Sequence, residues 1–192
     1  MQTNAAEAPQ SDANQSCAED TPIHLHIGGI EPRPGWSILN ISPGPNVDVC
    51  GSCTDLGMFD DSSVQTVYAS HVLEHLGYQK ELPRALGEIL RVLQPEGRLM
   101  LGVPDLEMLG KMISHPQLPI VQRIHVMRMI YGGQMDEYDF HKTGFTWDIL
   151  QSMLLGAGFR SVRRVQELGV FDDTSKGVYC GHSISLNAIA TA

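Results

Sequence analysis

The stretch Val64-Gln65-Thr66-Val67-Tyr68-Ala69-Ser70-His71-Val72-Leu73-Glu74-His75-Leu76, followed by Glu81 to Leu93 and then Leu99-Met100-Leu101-Gly102-Val103-Pro104-Asp105, decides the fold. Its first part reads as an apolar strand. Leu82, Ala85, Leu86, Ile89 and Leu93 then recur at steps of three and four, so a helix from about Glu81 to Leu93 has one apolar face that must pack on something. Pro83 is tolerated in the first turn, where its missing N–H has no helical partner to lose. Gln94-Pro95-Glu96-Gly97 stops the helix, and Leu99 to Val103 is apolar without alternation, as in a strand covered on both faces. The unit is a strand, helix, strand crossover in a parallel sheet. Ligands of open parallel sheets bind beyond the carboxyl ends of the strands. Ser70, His71, Glu74, His75 and Asp105 fall at those ends.

Working outward, the upstream region opens with Ile23-His24-Leu25-His26-Ile27, which alternates like a strand, and then Gly28-Gly29. A second strand, Trp36 to Ile41, follows after one short turn-rich segment, and Val47 to Cys50 follows after another. Neither connection can hold a helix, although parallel neighbours usually need a crossover of a dozen or more residues. Eight extended residues reach about 26 Å, so a bare return loop is feasible but tight.

Downstream of Asp105 the pattern is helical to about Tyr131, interrupted at His115-Pro116 and ended by Gly132-Gly133. Gln134 to Phe145 is polar and aromatic without periodicity. Thr146 reads as the cap of a helix with Trp147, Leu150, Met153 and Leu154 inward. Strands near Phe159–Val165 and His182–Ile189 finish the chain.

The 192 residues fit one folded domain, with residues 1–22 a polar, acidic tail of disordered character and residues 23–192 the domain proper. About 105–145 forms a helical insertion and loop. The formal charge is −9, and about −5 remains on the folded part once the tail acids Glu7, Asp12, Glu19 and Asp20 are set aside. That balance argues against nucleic acid as substrate, which needs a basic surface. The tail lacks the basic start and apolar core of a secretion signal, and no run is long enough to span a membrane. A cytoplasmic location without membrane association is expected.

Several side chains carry chemistry, each beside a plainer reading. Histidine as a residue type titrates near neutral pH, and His71 stands where a base is useful, or it orders the strand end. Glu74 orients His71 or caps the next turn. His141, in Tyr138-Asp139-Phe140-His141-Lys142-Thr143, belongs to a loop long enough to fold over a site, or to a rigid turn in which His141 and Asp139 bond backbone groups. Asp105 binds a substrate hydroxyl or caps the following helix. Cys50-Gly51-Ser52-Cys53 is a single C-x-x-C pair, and a structural zinc site needs four ligands. His71 and His75 have the spacing of two helical metal ligands with His141 a third, but no carboxylate pattern of a known metal site accompanies them, so no metal is expected. His24 and His26 share a strand face and read as core or edge histidines. The methionines Met108, Met112, Met127, Met129 and Met135 read as helix core, or as adaptable side chains lining an acceptor pocket beside the inserted loop.

The run Asp55-Leu56 with Asp61-Ser62-Ser63-Val64, the strand from Val67 to His75, the block Glu88-Ile89-Leu90-Arg91-Val92-Leu93-Gln94-Pro95-Glu96-Gly97-Arg98-Leu99 and the late Gly158-Phe159 resemble class I S-adenosylmethionine-dependent methyltransferases. The likeness covers about 23–189 and is strongest to a small bacterial branch in which a short Gly-Trp-containing loop replaces the first helix. It implies an α/β fold, a Rossmann-like seven-stranded mostly parallel sheet with an antiparallel last strand and with the first crossover helices shortened or missing. It implies S-adenosyl-L-methionine as cofactor, lying across the ends of the first four strands. Gly28 and Gly29 would approach its methionine part, with Glu31 at its ammonium and Asn40 at the ribose. Ser52, Cys53, Asp55 and Leu56 would surround the adenine, and Ser70 and His71 would approach the sulfonium. Asn40 stands where the family carries an acid, an exchange worth about 1 kcal/mol of charge-assisted hydrogen bonding.

The expected function is therefore methyl transfer to a small-molecule or glycan-type acceptor. His71, His141 and Glu74 are the catalytic candidates, and Asp105, Tyr138 and His75 the substrate-binding ones. The alternatives are a methyltransferase-like binding or scaffold domain of weakened catalysis, and a metal- or thiol-dependent enzyme. The expected partner is the small-molecule or saccharide acceptor, and a homodimer is allowed.

Overall fold

The computed structural model describes residues 23–192, so the expected tail and Cys17 lie outside the described residues. Seven strands form one sheet in the order β3-β2-β1-β4-β5-β9-β6, built from β1 (Ile23–Ile27), β2 (Trp36–Asn40), β3 (Val49–Cys50), β4 (Val64–Ser70), β5 (Leu93–Pro104), β6 (Ser161–Val165) and β9 (Ser185–Thr191). The first five pair in parallel, and β9 runs antiparallel between β5 and β6. A two-stranded hairpin, β7 (Val178–Tyr179) with β8 (His182–Ser183), precedes β9. Four helices complete the described residues: α1 (Glu81–Val92), α2 (Leu106–Ser114), α3 (Ile120–Tyr131) and α4 (Trp147–Ala157). No helix among them is long and apolar enough to cross a membrane.

The crossover unit forms as its periodicity requires. Leu82, Ala85, Leu86, Ile89 and Val92 of α1 are buried against Val67 and Ala69 of β4 and Leu99, Leu101 and Val103 of β5. The expected stop after Leu93 needs a correction. The helix ends at Val92 and the chain turns directly into β5, where Leu93 pairs with Val64 and Arg98 with Thr66. Pro95-Glu96-Gly97 is an outward excursion within that strand, with Glu96 at φ 63°. At Gly97 a side chain would stand 2.7 Å from the Gln94 carbonyl, so the excursion needs glycine there.

The two helix-free connections are real. β1 and β2 pair in parallel over His24–Ile27, and β2 and β3 over Leu39–Asn40. The amide of Gly28 donates to Leu39 O at 2.8 Å and Asp48 Oδ2 accepts from the Ile38 amide at 2.7 Å, so each return loop is sewn to the strand it reaches.

The sheet face that those missing helices would have covered is closed from the far end of the chain. Trp36, Tyr68, Met100 and Val165 project there and pack with Leu168, Val170 and Phe171 of the segment between β6 and β7. His26 joins them, its ring 4.0 Å from Phe171 and 5.1 Å from Tyr68. This strap is fastened by buried polar bonds. Tyr68 donates its hydroxyl to Asp173 at 2.7 Å, and Asn187 Nδ2 donates to Gln166 O at 2.9 Å and Ser175 O at 2.8 Å. Arg33 lies 5.6 Å over the Phe171 ring and bonds Val170 O, tying the β1–β2 loop to the strap. The last strand is also shifted from its expected place, spanning Ser185–Thr191 rather than 182–189.

Candidate functional site

A cavity of about 370 Å³ opens across the carboxyl ends of the first four strands. Gly28 lines it after β1, Asn40 and Ile41 at the end of β2, Gly51, Ser52 and Cys53 after β3, and His71 and Val72 after β4. His75 and Leu76 from the turn after β4, Glu81 at the start of α1, and Tyr138 and Lys142 from the loop after α3 complete its lining. The strand ends contribute backbone and mostly apolar side chains, and these later segments add ionisable and aromatic groups.

Local geometry explains the residue types. Gly28 has φ 75°, and a side chain there would meet Val72 Cγ2 at 2.6 Å, so only glycine lets the strand end approach this closely. Gly29 faces the other way, where a side chain would collide with the His26 ring. Asn40 Nδ2 donates to Gly29 O at 3.0 Å and its Oδ1 accepts from the Ser42 amide at 3.0 Å. A carboxylate could make only the second bond, so the amide at this position holds the glycine turn in place.

The block Glu88 to Arg91 builds the wall behind Cys53. Glu88 accepts the Leu56 amide at 2.9 Å, and Arg91 reaches Leu56 O at 3.0 Å, Phe59 O at 3.1 Å and Asp61 at 2.6 Å. Arg91, then the Leu56 amide, hold the Glu88 carboxyl below its ordinary range. Cys53 is buried, and burial pushes its thiol up to about 11, which leaves it protonated and unreactive at neutral pH. Cys50 is exposed and directs Sγ to Ile41 O at 3.6 Å. Cys53 therefore lacks the thiolate character that a thiol-dependent enzyme would need.

At the end of β4 the chain leaves the sheet through His71, which has φ 54°, a left-handed conformation costly for a residue with a side chain. It is held there by its amide bond to Gly102 O at 2.8 Å and by two side-chain contacts. Nε2 lies 2.9 Å from Ser185 Oγ, whose own hydroxyl donates to Thr174 O at 2.8 Å, so Nε2–H is the donor to Ser185. Nδ1 lies 3.1 Å from Glu74 Oε1, within ion-pair range but off line for a hydrogen bond. Ser185 is a site residue that sequence reasoning missed. It belongs to β9, and nothing near it in sequence indicates that the sheet brings it to His71.

Only Leu73–His75 forms a helical turn, a single 3-10 turn, so His71 and His75 do not share a helical face as their spacing implied. Glu74, fully buried, turns inward beneath His71. The amides of Lys142 and Thr143 donate to Glu74 O at 2.8 and 3.1 Å, and Thr143 Oγ1 donates to Leu76 O at 2.6 Å. These bonds fasten the loop after α3 to the β4 turn. His141 thereby packs edge-on against His75 with ring centroids 4.9 Å apart, and burial holds its imidazole below the ordinary range, Glu74 opposing.

The loop has features of both the rigid-turn and the site-covering reading. Asp139 accepts from the amides of Gly133 at 3.3 Å and Met135 at 3.2 Å and so stiffens the turn, while Tyr138 and Lys142 reach the cavity. Lys142 pairs with Glu81 at 3.2 Å; the Gly77 amide and then Lys142 hold that carboxyl low. Neither Glu81 nor Lys142 stood out in the sequence, because an exposed Lys or Glu carries no local signal.

Of the expected cofactor residues, Gly28, Asn40, Ser52, Cys53 and His71 line the cavity. Gly29, Glu31, Asp55, Leu56 and Ser70 do not. Leu56 is core, Asp55 bonds the Gly57 amide at 3.2 Å, and Ser70 projects to the strap face. Among the acceptor-side candidates, His75 and Tyr138 line the cavity and His141 stands behind His75. Asp105 caps α2 by accepting the Met108 amide at 3.1 Å and pairs with Arg164 at 2.9 Å, so its carboxylate is occupied away from the cavity.

The residues present fit the group that the resemblance implies. A glycine strand end admits close backbone contact, apolar side chains such as Ile27, Leu39, Ile41 and Val72 suit a flat base, and Asn40, Ser52 and His71 offer polar groups beside them.

Comparison with known proteins agrees. Residues 26–101 match the family model described as a methyltransferase domain. Among solved structures, the described fold superposes on a SAM-dependent methyltransferase from Archaeoglobus fulgidus with TM-score 0.55 at 18% identity, covering 89% of this chain and 86% of that one. One from Methanosarcina mazei gives 0.53 at 20% identity, with 90% and 93% covered. The 1,6-didemethyltoxoflavin-N1-methyltransferase of Burkholderia thailandensis, solved with 1,6-didemethyltoxoflavin and S-adenosylhomocysteine, gives 0.53 at 13%, with 88% and 71% covered. No curated protein sequence matches. At these identities the structures speak for the fold, and the match over 26–101 speaks for the domain. Residues 26–101 thus match a methyltransferase domain, and the described fold is that of S-adenosylmethionine-dependent methyltransferases.

Proposed function

We propose that the chain transfers a methyl group to a hydroxyl or amine of a small-molecule or glycan-type acceptor that enters the cavity. The observation that carries this is that one cavity is lined both by strand-end backbone with apolar side chains and by His71, His75, Tyr138, Glu81 and Lys142. Bound S-adenosylmethionine would supply an electrophilic methyl on a sulfonium, transferred in line to the acceptor atom as the thioether S-adenosylhomocysteine leaves. What remains for the protein is alignment, exclusion of water and removal of a proton.

His71 is the group for the last task. With Nε2–H committed to Ser185, the neutral ring carries its lone pair on Nδ1, and Glu74 Oε1, 3.1 Å away but off line, makes no hydrogen bond that would occupy it. Glu74 is a positioning residue acting through His71. The exposed ring of Tyr138 and the Lys142–Glu81 pair offer an acceptor one aromatic face and several hydrogen-bonding groups.

Titration calorimetry with S-adenosylmethionine and S-adenosylhomocysteine is the first test; absence of binding for both at millimolar concentration would overturn the reading. Transfer of labelled methyl groups is then followed over a panel of hydroxyl- and amine-bearing small molecules and saccharides. His71→Ala is expected to lower kcat by about 100-fold or more while changing cofactor affinity less than tenfold. Cofactor binding with no transfer to any acceptor would point to the scaffold reading instead.

A further inference from the structure

Glu74, His75 and His141 make a cluster that the methyl-transfer reading leaves only partly used. One potential ligand atom from each lies within 4.8 Å of the other two. Glu74 is fully buried and neither of its carboxylate oxygens has a hydrogen-bond partner. The Nδ1 atoms of His75 and His141 are likewise buried and unpartnered. A buried carboxylate beside two unpaired imidazole nitrogens is unfavourable unless something compensates it, and His71 meets one oxygen of Glu74, off line. Two distant segments converge here, and the backbone fixes their approach: Lys142 and Thr143 bond Glu74 O directly.

We propose that these three side chains bind one divalent first-row transition-metal ion, Zn²⁺ being the best match to two imidazoles and a carboxylate. The set differs from the one that sequence spacing offered, because His71 turns away to Ser185 and Glu74 takes its place. Metal bonds of about 2.0–2.2 Å at tetrahedral angles need donors about 3.3 Å apart, a closure within the range of side-chain rotation. Three protein ligands leave a fourth position open. Since His75 lines the cavity, that position adjoins it and takes water or an acceptor oxygen. The acceptor oxygen rests on the proposed function; metal binding itself does not.

The test uses the full chain, stripped with a chelator, dialysed, and titrated with Zn²⁺ by calorimetry and with Co²⁺ by visible absorption. One equivalent should bind, with a four-coordinate Co²⁺ spectrum, and His75→Gln and His141→Gln should each weaken binding by at least 100-fold. His115→Gln, an exposed histidine elsewhere, should leave it unchanged. Because Glu74 is wholly buried and its replacement risks unfolding the turn, the two histidine variants carry the test, with circular dichroism confirming their fold. No Zn²⁺ uptake by the folded chain, or uptake that both histidine variants retain, would overturn the proposal. The readout is metal binding alone, so its failure leaves the methyl-transfer reading standing, and a failure to bind S-adenosylmethionine leaves this one standing.

Discussion

On one face of the sheet, α1 and α4 press Leu82, Leu86, Ile89, Leu150 and Leu154 into Leu25, Val67, Leu99 and Leu186, forming one continuous apolar core. On the other face there is no helix between β1 and β3, and the cover is a strap from the opposite end of the chain carrying Leu168 and Phe171 onto Trp36, Tyr68 and Met100. The first face relies on apolar area and shape. The second relies on aromatic edges and on a few buried bonds from Tyr68, Asn187 and Ser185 to strap groups. A helix satisfies its own backbone, so it can cover a sheet with apolar side chains alone; a strap cannot, and the sheet must supply partners for its carbonyls.

The contrast can be broken most directly at the helical face. Ile89→Ala empties a fully buried site and should lower unfolding free energy by about 4 kcal/mol in urea denaturation. A loss below about 1 kcal/mol would show that α1 is not the principal cover.

The strap face should respond to pH where the helical face does not. Burial lowers the His26 pKa to about 4 from an ordinary 6.5, Asp173 opposing. The unfolded chain therefore takes up this proton first, so stability attributable to His26 is intact above pH 6.5 and declines as pH falls toward 4. The loss by pH 4 approaches about 3 kcal/mol. Comparing the wild type with His26→Leu across that window isolates the contribution from carboxylates that titrate nearby; equal pH slopes for the two would refute it.

Asn187→Ala leaves the carbonyls of Gln166 and Ser175 without their donor. We expect about 2 kcal/mol of destabilisation. Hydrogen exchange should rise first in the strap, well before β4 and β5; uniform acceleration across the sheet would mean that the strap is no separate unit.

The smallest effect concerns the loops on the helix-free side. Asn40→Asp removes the donor to Gly29 O and should cost about 1 kcal/mol, read as a shift in the denaturation midpoint. A gain in stability would show that the glycine turn does not depend on that amide.

Much of this architecture was legible in the residues. The apolar spacing of α1 and the non-alternating run of β5 set the crossover and so the end of the sheet where a site belongs. The shortness of the segments after β1 and β2 showed that helices were missing there. The strap was not legible, because Gln166 to Gly177 has no period, and its key residues act through partners on strands far away in sequence. The candidate site divides in the same way. His71 was visible from its place at a strand end, and Gly28 and Asn40 from the resemblance. Ser185, Glu81 and Lys142 were not, and Asp55, Ser70 and Asp105 were assigned to a site that the fold turns them away from.

The sequence by itself determined the parallel crossover, the domain type and the end of the sheet that carries the cavity, since periodicity and turn residues act within a few positions of one another. Tertiary structure alone decided what closes the second face, which tautomer His71 holds, and that Glu74 rather than His71 joins His75 and His141. Those outcomes depend on contacts between groups distant in the chain, where a side chain's role is set by the partner the fold brings to it.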